Sequence, residues 1–332
     1  MSRLVKAAVT TKSRATPFLK DIQLQPAEED EVVVRVAASG YHHLVRGRAS
    51  GNHYSVLGSE DDRIVGVDGV GYIEGKNDLV YFTTFAPGLG SYAQYVNVKK
   101  ENIHQLPSNY TSKEAIARVA ALSNGVMSSY FALGPRMPTL VKNPIVAILG
   151  VTGTSGQLAI QVSKNIFNAQ KVIGISRSGQ DLRELQQNQP LLDEIVSFEE
   201  NDQDIIRSGK LDEVDVVLDY VWGEPALRSM GNFINSRKDK TKSLSWIQIG
   251  QMSGAEVSVP AAYLRSANFS ILGSGLGPLT DSDMSDVFKE ITAALAEGIL
   301  DSKIEAVPIE DIETEWKKPF SKSVRKYFTF TD

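Results

Sequence analysis

The sequence predicts an α/β fold in which a doubly wound parallel sheet is joined to a second, β-rich domain. Three observations predict it. Pro144 to Lys164 reads as buried strand, glycine turn and helix; strand and helix signals then alternate to about residue 273; and before Leu106 the apolar runs are short, alternating and divided by turn residues.

The apolar run Ile145 to Leu149 fits a strand covered on both faces, and Leu158, Ala159, Val162 and Ile166 recur at helical spacing. Between them stand Gly150, Gly153 and Gly156, with Thr152, Thr154 and Ser155 in the same turn. Glycines at that spacing permit the turn, let backbone approach a pyrophosphate, and let the helix start close against the sheet. The first-turn amides and the helix dipole then face the phosphate charge. The turn is therefore a candidate dinucleotide site of Rossmann type.

The next apolar run, Lys171 to Ile175, reads as the second strand of a βαβ unit and arrives where a ribose-reading residue falls. An NAD site places an acid there, whereas this chain has Ser176-Arg177-Ser178 and no acid until Asp181. A guanidinium offers a planar fork to a 2′-phosphate and stacks on adenine, and the two hydroxyls add donors. NADPH is the expected cofactor. Arg177 as a solvated loop residue, or an Asp181 carboxylate reaching back, is the alternative.

Length and composition agree with a soluble two-domain protein. The chain has 332 residues, 42 % hydrophobic and 23 % charged, with a net charge of -5. The acidic balance and the lack of a dense Lys/Arg run argue against nucleic acid as the partner. No run of about 18 apolar residues suggests a membrane span, and the N-terminal sequence lacks a signal-type apolar core. With no cysteine, thiolate zinc ligands and a cysteine nucleophile are excluded. A cytoplasmic location is expected.

Strands are expected at Val5 to Val9, Glu31 to Ala38, Gly66 to Glu74, Leu79 to Phe82 and Tyr92 to Val98, with turns at Gly75 to Asp78 and Pro87 to Gly90. Ser112 to Leu122 reads as a capped helix, followed by a second helical stretch from Met127 to Leu133. Downstream strands are expected at Glu194 to Phe198, Val214 to Val221, Leu244 to Gly250 and Phe269 to Leu272, with helices near Asp181 to Gln187 and Pro225 to Met230. The last segment reads as helix Ser282 to Glu297, strand Ile304 to Val307, helix Ile309 to Trp316 and strand Ser323 to Phe330.

Several stretches taken together resemble the zinc-independent quinone oxidoreductase branch of the medium-chain dehydrogenase/reductase superfamily. Gly90 to Val96 resembles its GSYAEYV strand, Gly66 to Gly71 its PGxDGxG stretch, and Ala120 to Leu133 its helix ending in TAYxAL. Val214 to Gly223 resembles VDVVxDxVGG, Gln248 to Gly254 resembles xIGxxSG, and Leu272 to Gly275 the segment that meets the nicotinamide. The resemblance implies a GroES-like catalytic domain over residues 1–123 and 273–332 and a Rossmann cofactor domain over 124–272. It adds Asn124, Ser128, Val221, Gly250, Gln251, Gly273, Ser274 and Gly275 to the cofactor-binding set, and it implies a homodimer joined through the strand Phe269 to Leu272.

Two related families fit less well. In zinc alcohol dehydrogenases the first ligand is a Cys, which aligns with His42, and the pair Gly-His-Glu becomes Gly66-Val67-Asp68. Val67 has no ligating atom, and four histidines without thiolates suggest no catalytic zinc. In short-chain reductases a YxxxK pair follows the cofactor turn on a helix, whereas Tyr95 and Lys99 precede it on an expected strand.

The resemblance therefore implies a metal-free, NADPH-dependent reductase of a small apolar quinone, α,β-unsaturated carbonyl or ketone. Its substrate side is the turn after Ser39-Gly40, where His42 or Tyr54 is the candidate to hydrogen-bond the substrate oxygen and deliver the proton. Structural hydrogen bonding is the alternative for His42, and packing for Tyr54. Asn124 and Ser128 either fix the carboxamide or pack their helix, and Asp219 either lines the crevice or caps the next helix. The alternative of another class is a catalytically idle NADPH-binding protein of crystallin or regulatory kind. RNA binding is disfavoured by the acidic balance.

Overall fold

A computed structural model describes residues 2–330 apart from 13, 52, 57–62, 77, 86, 87, 139, 140 and 276. Two of the expected turn residues, Asn77 and Pro87, lie outside the described residues. Packing divides the chain into one unit of residues 1–124 with 288–332 and another of residues 125–287.

The first unit opens with β1 (Arg3–Thr11), β2 (Arg14–Leu24) and β3 (Glu31–Tyr41), followed by α1 (His43–Ala49). Then come β4 (Arg63–Ile64), β5 (Asp68–Ile73), β6 (Leu79–Thr83), β7 (Tyr95–Lys99) and β8 (Ile103–Gln105). Tyr95 and Lys99 thus lie on a strand, as the sequence indicates. The strand β2 and the helix α1 were not expected: His43 to Ala49 has seven residues and contains Gly47, too short to display an apolar stripe.

Helix α2 (Lys113–Leu133) corrects the two-segment expectation. Ser112 Oγ accepts the Ala115 N–H at 3.1 Å and caps its start. The helix runs on through Gly125, where a glycine costs about 1 kcal/mol relative to Ala. Burial of Val119, Ala120, Leu122, Val126 and Phe131 along its length supplies the offsetting packing.

The second unit carries β9 (Ile145–Leu149), α3 (Thr154–Gln161), β10 (Lys171–Ser176), α4 (Gly179–Asn188), β11 (Glu194–Ser197) and α5 (Asp202–Arg207). It continues with β12 (Val216–Asp219), α6 (Gly223–Ser236), β13 (Leu244–Gln248), α7 (Tyr263–Ser266) and β14 (Phe269–Gly273). The six strands are parallel in the order β11-β10-β9-β12-β13-β14. That is the 3-2-1-4-5-6 order of a doubly wound sheet, with its switch point between β9 and β12. Leu149, Ile175, Phe233 and Trp246 belong to one buried cluster of this unit, so the strands read as continuous apolar runs because both faces are covered.

The chain returns to the first unit within α8 (Asp281–Ala296), then β15 (Lys303–Pro308), α9 (Ile312–Trp316) and β16 (Val324–Thr329). Its seven-stranded sheet runs β15-β16-β3-β5-β6-β8, with β7 also paired to β3. The separate sheet β2-β1-β4 completes the β-rich unit. Among the described residues no helix is long and apolar enough to cross a membrane.

Candidate functional site

In the second unit the site grows from the end of β9. Gly150 takes φ +90, and a β-carbon there would lie 2.9 Å from Val221 Cγ2. Both strain and space therefore exclude a side chain. Gly156 is needed for a different reason, since a β-carbon on it would meet the Gly150 carbonyl oxygen at 2.6 Å and Val151 Cα at 2.7 Å. Gly153 is the N-cap of α3 in extended conformation and supplies no side-chain cap to the first-turn amides, those of Thr154 and Ser155 included. Such an N-terminus at the switch point suits a phosphate.

Hydroxyl groups gather beside it. Thr152 Oγ1 and Ser176 Oγ, from the ends of β9 and β10, are 3.1 Å apart. Ser178 caps α4 by accepting the Asp181 N–H at 3.1 Å, which leaves its own O–H to donate. Arg177 is exposed, and its carbonyl accepts the Ser197 hydroxyl at 2.9 Å. One acid missed in the sequence reading joins this corner: Glu199 Oε2 accepts the Gly179 N–H at 3.2 Å, and Arg183 flanks the same glycine. Only the register of β10 against β11 brings Glu199 to Gly179, so no local spacing announces it.

The end of β12 is a turn held by a buried carboxylate. Asp219 Oδ1 accepts the Val221 N–H at 2.8 Å and the Trp222 N–H at 2.9 Å, while Oδ2 accepts the Trp246 indole N–H at 2.9 Å. Burial pushes its carboxyl up against the pull of these donors. Asp219 thus spans the turn that leads into α6. Trp222 holds φ 53, a left-handed value, at a position where the VDVVxDxVGG pattern has glycine.

Around this turn the remaining candidates take their places. Gly250 lies so close beneath it that a β-carbon would meet the Tyr220 carbonyl oxygen at 2.5 Å, and the Gly250 carbonyl accepts Gln248 Nε2 at 2.9 Å. The Gln251 side chain is exposed, and its carbonyl accepts the Gly254 N–H at 3.3 Å. Ser128 Oγ lies 3.1 Å from the Tyr220 hydroxyl and donates to the Gly125 carbonyl; Asn124 is half-buried one turn earlier on α2. Gly273 ends β14, and Ser274 and Gly275 follow it; Arg136 Nε donates to the Gly273 carbonyl at 2.8 Å and the Ser274 N–H to the Gln248 carbonyl at 2.8 Å. Tyr220 is a second residue that the sequence reading missed.

In the first unit the two proton-donor candidates have opposite surroundings. Tyr54 lies in a short 3-10 turn, 66 % exposed, its ring 4.2 Å from that of His53. His42 is 1 % exposed. It precedes α1 as N-cap but gives no side-chain cap, because its ring turns to Asp68: Nε2 to Oδ1 is 3.0 Å. The Tyr81 hydroxyl donates to Asp68 Oδ2 at 2.8 Å, and His42 Nδ1 is buried with no partner. Gly40 makes room, since a β-carbon on it would strike the Ala120 carbonyl oxygen at 2.6 Å and crowd both His42 and Asp68 at 3.3 Å. Among the described residues no group of three or more His, Cys, Asp or Glu is arranged to hold a metal ion.

Parallel sheet, strand order, glycine turn and β-rich unit together define a fold of the medium-chain dehydrogenase/reductase kind. The resemblance to quinone oxidoreductases of that superfamily holds over nearly the whole chain. A curated relative, "Probable NADPH-dependent quinone reductase tdiC" of Emericella nidulans, is 25 % identical over 358 residues, covering 96 % of this chain and 98 % of that protein. The crystal structure of a quinone oxidoreductase from Pseudomonas syringae pv. tomato DC3000 superposes with TM-score 0.75 at 20 % identity, covering 97 % of this chain and 99 % of that one. The crotonyl-CoA carboxylase/reductase AntE in complex with NADP gives TM-score 0.76 at 16 % identity, covering 98 % and 94 %. No family model matches the chain.

Proposed function

We propose that this chain is an NADPH-dependent reductase that passes a hydride, without zinc, to a quinone, an α,β-unsaturated carbonyl or a ketone. The observation that carries the reading is the uncapped start of α3 at the β9/β12 switch point, flanked by the exposed Arg177 and the Thr152, Ser176 and Ser178 hydroxyls. An amide-lined, glycine-tight turn suits a pyrophosphate, and an exposed guanidinium between two serine hydroxyls suits a 2′-phosphate. The names of the curated relative and of the NADP-bound neighbour support the same cofactor.

The residues fit the cofactor as follows. Thr154, Ser155 and Gly156 offer backbone N–H groups to the pyrophosphate; Ser176, Arg177 and Ser178 take the phosphorylated ribose; Val221, Gly250, Gln251 and Gly273 to Gly275 border the nicotinamide half. Asn124 and Ser128 orient the carboxamide. When bound, NADPH supplies the hydride. His42, in preference to the exposed Tyr54, is assigned the proton for the substrate oxygen, since a donor held rigid by Asp68 loses less freedom in the transition state. Strand β14 ends the sheet, which leaves an edge for a homodimer.

Assay of NADPH oxidation against a panel of quinones, enones and ketones, with and without a chelator, tests this reading. Turnover with at least one acceptor, unaffected by chelation, is expected; chelator-sensitive turnover rejects the metal-free assignment. The burial of His42 favours a second reading, a catalytically idle NADPH-binding protein, which is recognised by NADPH binding without turnover on any acceptor.

A further inference from the structure

The cluster His42, Asp68 and Tyr81 is buried to within 1 % exposure at every member, and its hydrogen bonds leave one ring nitrogen over. We infer that Asp68 and Tyr81 are positioning residues that lock His42 as the Nε2–H tautomer, so that Nδ1 is the atom that exchanges a proton with the substrate oxygen. This rests on the reductase reading above.

The argument begins at Tyr81. Burial first, and the Asp68 charge second, push its phenol well above the ordinary tyrosine range, so it remains a donor. Its only partner in the cluster, Asp68 Oδ2, therefore accepts. Asp68 Oδ1 then faces His42 Nε2 at 3.0 Å. A carboxylate oxygen only accepts, so the ring nitrogen that faces it carries the proton, and that nitrogen is Nε2. Nδ1 is left as a lone pair in the neutral ring and as an N–H in the charged one, with no protein partner in either form.

A buried polar atom without a partner costs about 1 to 3 kcal/mol, a cost that a purely structural histidine would avoid by turning Nδ1 to an acceptor or to its own helix. Here the ring is the N-cap residue of α1 and yet gives that helix no side-chain bond. The unused nitrogen is reserved for an oxygen that arrives with substrate. The step balances: the acceptor gains a hydride, its oxygen takes the proton from His42 Nδ1–H, and the imidazolium becomes neutral with Nε2–H kept by Asp68. Solvent restores the proton before the next turnover. Ser39 and Ser91, 2.5 Å apart behind the cluster, hold the Asp68 backbone through the Ser39 hydroxyl and complete its fixation.

Nitrogen-15 spectra of the histidine-labelled full chain read the tautomer without any turnover. His42 in the wild type is expected as Nε2–H with Nδ1 unprotonated in the neutral form, and Asp68→Asn is expected to mix the tautomers. On the acceptor found for the wild type, Asp68→Asn and Tyr81→Phe are expected to lower kcat by about ten- to hundred-fold with KM nearly unchanged, the loss expected when an oriented acid is disturbed. His42→Ala is expected to lose as much, and His42→Ala with Asp68→Asn no more than His42→Ala alone. A wild-type Nδ1–H tautomer, or an Asp68→Asn kcat within two-fold of wild type, overturns the inference. Failure of the reductase reading is separately visible, as a wild type that binds no NADPH.

Discussion

Gly150 and Val221 approach so closely that a β-carbon on the glycine would lie 2.9 Å from the valine Cγ2, which ties the turn after β9 to the turn after β12 across the sheet's switch point. The proposed nucleotide site and the core packing therefore share one contact. Gly150→Ala adds a left-handed alanine to a clash, and is expected to cost about 1 to 3 kcal/mol of stability. Denaturant unfolding beside an NADPH titration checks it, with both stability and affinity falling together.

Arg177→Ala is expected to weaken NADPH by about ten-fold or more while NADH changes little, in line with loss of a charge-assisted pair of about 1.5 to 3 kcal/mol. Equal losses for the two nucleotides would remove the 2′-phosphate assignment.

Glu199 is expected to act in the opposite sense. Its carboxylate sits on the Gly179 N–H at the start of α4, next to the loop that carries Arg177. Glu199→Gln keeps an acceptor for that N–H and removes a charge that repels a 2′-phosphate. Tighter NADPH binding by about two- to ten-fold is expected, the scale of one partly exposed charge, with NADH unmoved. Weaker NADPH binding in this variant would mean that the carboxylate orders the loop.

Asp219 is a structural carboxylate. Asp219→Ala strands two backbone amides and an indole N–H, and is expected to cost about 3 to 5 kcal/mol. Calorimetric unfolding measures this directly, and a loss under 1 kcal/mol would show that water replaces the carboxylate without difficulty.

Stability is also expected to fall with acid in a defined window. Burial, and then the nearby Lys289 charge, hold His104 down to about 4 from 6.5. The folded chain declines a proton that the unfolded chain accepts, so this contribution is whole above pH 6.5 and is lost as pH falls toward 4. His104→Phe, beside the Phe288 ring at 4.3 Å, is expected to flatten the stability profile in that window. An unchanged slope would assign the acid sensitivity elsewhere.

These residues also mark what the amino-acid order makes legible. The glycine turn and the parallel strands are local signals: Ile145 to Leu149 is continuously apolar because helices cover both faces, and three glycines in seven residues follow at once. What stays hidden depends on register across distant strands. Asp68 reaches His42 from 26 residues away, Glu199 reaches Gly179 from 20, and Tyr220 reaches Ser128 from 92. Helix α1 is too short to display a period, and Gly125 looks like a break only until the buried flanks of α2 are counted. His42 and Tyr54 are both candidates as letters in a loop; only the structure shows that one is buried and the other exposed.

Calorimetric titration of the wild-type chain with NADPH, and in parallel with NADH, tests the central claim most directly. The account expects saturable heat with NADPH and binding at least about ten-fold tighter than NADH, a difference of about 1.4 kcal/mol. No heat with NADPH, or a preference for NADH, contradicts it.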